Sequence, residues 1–119
     1  MTTQAIADRL VALCRAGRHV EAINELYAPD VRQSENGAMP SVGRDAIAKQ
    51  CQGWLDSRVL YSTEVLGTHV AADEIVLELR YDITPHATKE RIQWCEAGVY
   101  RIANGAIVDV RFYYKPPAA

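Results

Sequence analysis

Long apolar runs are missing from this chain. No stretch approaches the roughly 18 apolar residues that a membrane-crossing helix needs, so no membrane association is expected. Cysteine is scarce. The three, Cys14, Cys51 and Cys95, lie far apart and none belongs to a CxxC pair. That spacing supports neither a zinc site nor a disulfide framework. Each cysteine sits inside an apolar pattern and reads as a small buried hydrophobe in a reducing, cytoplasmic setting. Positive charge is not in excess either: 13 basic against 15 acidic side chains leave a net charge of −2. Without a positive field, nucleic-acid binding is not expected. The start of the chain lacks a basic segment followed by an apolar run, so no signal peptide is expected. Phosphate-binding glycine loops, nucleophile elbows and serine–histidine patterns are absent. His19 and His69 have no second ligand type at metal-binding spacing, and neither a metal nor another cofactor is expected.

What the chain does contain is ordinary globular material. Its 119 residues (13.2 kDa) are 49% apolar and 24% charged, which fits one domain spanning 1–119. Such a length buries about two thirds of the unfolded surface, enough for a core. Ile6, Leu10, Leu13 and Cys14 form one helical stripe within residues 3–16, with Asp8, Arg9 and Arg15 off it. Thr3 is placed to cap that helix and Gly17 to end it. A second helix is expected from His19 to Tyr27, with Val20, Ile23, Leu26 and Tyr27 on its inner face; Pro29 stops it and pushes Ala28 out of helical geometry. Residues 31–35 read as a short strand, followed by a loop to Ser41. A third helix is expected over 44–57, with Ile47, Ala48, Cys51, Trp54 and Leu55 on one face and Asp45 in its first turn.

Beyond that point the period changes from near 3.6 to 2. Residues 61–70 read as a strand, and Ala71–Glu74 as its turn. Ile75, Leu77, Leu79, Tyr81 and Ile83 then alternate with Val76, Glu78, Arg80 and Asp82, a half-buried strand. A loop at Pro85–Thr88 leads to a strand over 91–103. Asn104-Gly105 marks a type I′ hairpin, because both positions tolerate positive φ. The last strand runs over 106–115, ended by Pro116-Pro117. Helices first and strands second, joined by hairpin-length turns, predict an α+β fold: an antiparallel sheet with three N-terminal helices on one face. The strand over 94–102 carries Trp94, Glu96, Gly98, Tyr100 and Ile102 on one side and Cys95, Ala97, Val99 and Arg101 on the other. Both sides are largely apolar and both need cover. Three short helices cover one, so the outer face is expected to pair with a second copy as a homodimer.

The segments "ELYAPDV", "VGRDAI" and "AGVYRIANGAIVDVRFYY", in this order after a first helix, resemble the nuclear transport factor 2-like superfamily. Within it the chain is most similar to the SnoaL-like polyketide cyclase and ketosteroid isomerase-related group, over residues 6–114. The resemblance implies a cone-shaped, cystatin-like fold: helices closing one side of a strongly curved antiparallel sheet, a deep apolar pocket inside, and a dimer across the outer sheet face. The superfamily holds isomerases, cyclases, dehydratases, epoxide hydrolases and noncatalytic binding modules, so individual residues must carry the functional reading.

Glu96 is the sharpest candidate. A carboxylate in mid-strand between Cys95 and Ala97 is costly to ionise, so its pKa should rise, and perturbed carboxylates in clefts mark functional sites. The resemblance adds that "CEAGVY" matches strands of the SnoaL-like group that carry a Glu there. Glu35 follows from the resemblance: it matches the place of the isomerase's catalytic Asp, a few residues past the segment that "YAPD" resembles. A base there abstracts a proton next to a carbonyl. By the same alignment Leu10 and Gly98 fall where the isomerase has its two oxyanion donors. Neither can donate, and losing one such donor typically costs on the order of 2.7–4 kcal/mol of barrier, so steroid isomerisation itself is not expected. Tyr81, on the apolar face of its strand, could donate to a ligand. Trp54 and Trp94 could form flat pocket walls, and His86 could act at the pocket mouth. Arg80, Arg101 and Arg111 alternate outward. Two readings stand: a cofactor-free isomerase, cyclase or dehydratase working on a small apolar molecule through Glu96, Glu35 and Tyr81, or a noncatalytic homodimeric small-molecule-binding or interaction domain.

Overall fold

The computed structural model describes residues 1–115, with three helices and six strands. Residues 116–119 lie outside that description, and with them the expected stop at Pro116-Pro117. Helix α1 (Thr3–Arg15) buries Ile6, Ala7, Leu10, Leu13 and Cys14, the predicted stripe. Its cap is Thr2 rather than Thr3: the Thr2 hydroxyl accepts from the Ala5 amide at 3.0 Å, while Thr3 Oγ1 donates to the Ala72 carbonyl at 2.7 Å. One residue of register separates the two roles, because only the residue before the helix can turn its side chain back onto the free amides. Gly17, at φ 73°, ends α1 and lets the Arg18 amide reach the Leu13 carbonyl.

Helix α2 (His19–Leu26) buries Ala22, Ile23 and Leu26. Strand β1 (Tyr27–Glu35) starts at once, earlier than expected, because the proline at 29 forbids helix just before it. A two-residue strand β2 (Ser41–Val42) precedes helix α3 (Arg44–Asp56). The third helix therefore follows two strands, where one short strand and a loop are expected. Strand β3 (Arg58–Val70) begins three residues before the expected Tyr61, and β4 (Glu74–Pro85), β5 (Ile92–Ala103) and β6 (Ala106–Tyr113) complete the sheet. Asn104 and Gly105 both have positive φ (51° and 73°), as the type I′ turn requires.

The strand order is β2-β1-β6-β5-β4-β3, an open sheet. All pairings are antiparallel except β1 with β6, which run parallel. The sheet is thus mixed, correcting the antiparallel expectation. Hairpin signals report only sequential neighbours, whereas β1 and β6 are separated by the rest of the sheet. Helix α1 packs against β3, and α3 against α2 and β1. The core lies between helices and sheet, where Ile47, Ile75, Leu77, Leu79, Ile83, Ile107 and Val110 are essentially inaccessible. Among the described residues no helix is long and apolar enough to cross a membrane.

Candidate functional site

A cavity of about 380 Å³ opens between the helices and the inner face of the sheet. Leu10 and Cys14 of α1, and Ala22 and Ile23 of α2, form its apolar floor. Tyr27, Gln33, Ser34 and Glu35 of β1 flank it, with Tyr81 of β4, Glu96 and Tyr100 of β5, and Phe112 of β6. Gln50, Cys51 and Trp54 of α3 close another side. Met39, 93% exposed, and the exposed Glu35 and Gln50 place the mouth at the β1–β2 loop.

Alternation along β5 turns Glu96 inward, opposite Leu79 of β4. Burial pushes its carboxyl up to about 7. The Tyr81 hydroxyl and the Trp94 indole N–H face it and favour the charged form, while the negative charge of Glu35 opposes ionisation. A group that changes charge near neutrality can both give and take a proton. Tyr81 is held by its neighbours: Trp54 meets its ring edge-on at 5.3 Å and His19 at 5.7 Å. Burial first, and the nearby Glu96 second, keep the Tyr81 phenol protonated well beyond its usual range.

Glu35 reaches the same cavity from the opposite strand in sequence. The parallel pairing sets it beside Phe112, and Tyr114, just past β6, donates its hydroxyl to Glu35 Oε2 at 3.0 Å. The Tyr114 amide donates to Asn36 Oδ1 at 2.9 Å, and its ring packs on Trp94 at 4.9 Å. A chain of contacts thus runs from Glu35 through Tyr114 and Trp94 to Glu96.

The structure brings Glu96, Glu35, Tyr81, Trp54 and Leu10 around one cavity. Trp94 stands behind Glu96 and does not line it. Gly98 is not a lining residue either. A Cβ there would meet Tyr100 at 2.8 Å and Phe112 at 3.1 Å, so glycine is what allows those two rings to close on the strand. His86 is exposed beyond the end of β4, its amide bonded to the Ser57 carbonyl, away from the cavity. Cys95 is exposed on the outer face, whereas Cys14 and Cys51 line the cavity as thiols whose burial raises them to about 12 and about 11.

His19 is the site residue that sequence reasoning missed. Its Nε2 lies 2.9 Å from the hydroxyl of Thr63, and burial lowers its pKa to about 4, so it stays neutral. The signal was available: His19, Ile23 and Leu26 share one face of α2 at i, i+4 and i+7. Among the described residues no three His, Cys, Asp or Glu side chains are grouped to hold a metal ion.

A protein from Mesorhizobium loti that carries the name SnoaL-like polyketide cyclase is 33% identical; the match covers 96% of this chain and all (100%) of that one, with a TM-score of 0.88. A Catenulispora acidiphila protein with a ketosteroid isomerase-like fold, solved in complex with trimethylamine, is 16% identical (TM-score 0.77; 96% and 88% covered). An epoxide hydrolase of M. tuberculosis, described as LEH-like, is 14% identical (TM-score 0.73; 96% and 84% covered). These last two show the fold alone. No match is found among curated proteins. The model of the SnoaL-like domain matches residues 7–110, nearly the whole chain, and with the cavity-bearing α+β architecture it makes this protein a member of the SnoaL-like domain family.

Proposed function

We propose that the chain is a cofactor-independent acid–base catalyst acting on a small, mostly apolar carbonyl compound, in an isomerisation, cyclisation or dehydration. The observation that carries this reading is Glu96: a carboxyl inside an apolar cavity, poised near pH 7, with a second carboxylate and a phenol facing the same space. Glu35, nearer solvent, takes the proton from carbon next to the carbonyl. Glu96, which holds its proton more tightly than a free carboxyl, donates to the oxygen, and the Tyr81 hydroxyl steadies the negative charge that develops there. Trp54 and Leu10 hold the apolar body. The bulges in β3 and between β5 and β6 favour bending, which would give the sheet a concave inner side.

The outer sheet face supports a homodimer as the working form. Tyr61, Leu66 and Tyr113 stand about half exposed, apolar surface that a second copy would cover. Sedimentation showing a monomer at micromolar concentration would remove that part. The catalytic reading is tested by following proton exchange next to the carbonyl in a panel of cyclic ketones. Glu96→Gln and Glu35→Gln should each slow it by about 10²-fold or more. Exchange that is unchanged in both variants leaves only a binding cavity.

A further inference from the structure

The mechanism uses what the cavity walls contain and makes no use of what they lack. Two carboxyl groups, Glu96 and Glu35, face the space, and among the described residues no lysine or arginine lines it. Among the described residues neither acid has an ion-pair partner, although the molecule has several such pairs elsewhere, including Arg80 with Glu64 at 2.8 Å and Arg91 with Asp82 at 2.8 Å. The one nitrogen base on the wall, His19, is tied to Thr63 at 2.9 Å and held neutral by burial. The remaining polar groups are hydroxyls, amides and the two thiols that burial keeps protonated, none of which carries charge. An anion entering this space would lose its water and find no cation, and would face the carboxylate of Glu35 and, above neutral pH, that of Glu96.

We infer that the cavity is a charge filter: it admits uncharged and cationic compounds and rejects carboxylates and phosphate-bearing compounds, with Glu35 and Glu96 as the rejecting residues. The inference rests on the proposed ligand cavity and narrows its substrate class to carbonyl compounds that bear no acid group in the buried part. Discrimination of this kind comes from repulsion of the wrong ligand and needs no added contact to the right one. Glu35, fixed at the rim by the Tyr114 hydroxyl at 3.0 Å, is met first, and Glu96 second.

The test uses three planar probes of one shape and different charge: benzamidinium, benzamide and benzoate. Their binding to the whole chain is measured by calorimetry or ligand-observed NMR at pH 8, with Trp54 and Tyr81 resonances reporting occupancy of the cavity. Benzamide and benzamidinium should bind at least about tenfold more tightly than benzoate, and Glu35→Gln with Glu96→Gln together should narrow that gap. Benzoate binding as tightly as benzamide in the parent protein overturns the filter and leaves the ligand cavity standing. A gap unchanged in the double variant overturns the assignment to the two acids. If none of the three perturbs the cavity resonances, the filter and the ligand-cavity reading fall together.

Discussion

The two faces of the sheet are built from the same strands and treat charge in opposite ways. On β4, Arg80 and Asp82 point outward, and each meets an opposite charge on a neighbouring segment, Glu64 and Arg91, at 2.8 Å. Arg111 on β6 stands between Asp109 and Glu74 in the same manner, at 3.5 and 3.6 Å. Between them, on the inner face, Leu79, Tyr81 and Ile83 are buried. Among the described residues Glu96 is the acid whose proton affinity is raised, and it lies opposite Leu79 on that face. Charges next to water are neutralised by cheap, screened pairs. The charge turned inward has no such partner, and its altered proton affinity is what makes chemistry available there.

Breaking the inner face should have the largest consequence. Leu79→Ala removes a side chain that is 2% exposed, and chemical denaturation should show a loss of about 2–5 kcal/mol. Next come the two inward titrating groups, which act in opposite directions. Glu96 binds a proton more tightly when folded, about 7 against an ordinary 4.5, so its carboxyl favours folding at low pH and this contribution is lost as pH rises between those values. Relative to the parent, Glu96→Gln should therefore gain ~3 kcal/mol of stability on going from pH 4 to pH 8. A pH-independent difference would mean that the carboxyl is not buried from water.

His19 behaves as the mirror image. It stays neutral when folded down to about pH 4 but protonates near 6.5 when unfolded, so stability is lost as pH falls through that interval. His19→Gln should flatten the acid side of the stability curve, measured by denaturation at a series of pH values. Smallest of all should be the effect on the outer face. Arg80→Ala or Glu64→Ala should barely move the melting temperature, and high salt should erase the difference. A large loss there would show that the outer face is buried in an assembly, and would sharpen the dimer proposal.

Much of this was legible from particular residues. The alternation from Ile75 to Ile83 fixed which side of β4 is buried, and Asn104-Gly105 fixed the last hairpin. Both signals are local, since each follows from the two-residue period of a strand or the φ that a turn demands. The placement of Glu96 on the same side as Trp94 and Tyr100 was equally readable. Other assignments failed where they needed a third dimension. Trp94 shares the Glu96 side of β5 but packs on Tyr114 behind the cavity. The loop position of His86 suggests a pocket mouth, but His86 is not among the residues that line the cavity. The apolar pattern around Cys95 reads as buried, whereas alternation sets it, exposed, on the outer face.

The sequence by itself determined the elements, their buried sides and the presence of an acid among apolar neighbours in β5, because those properties depend on residues a few positions apart. Only the tertiary structure decided that β1 runs parallel beside β6, that Glu35 thereby shares a cavity with Glu96, and that His19 and Thr63 meet across 44 positions. Those pairings are contacts between distant segments, settled by burial of the whole core at once, and no local period encodes them.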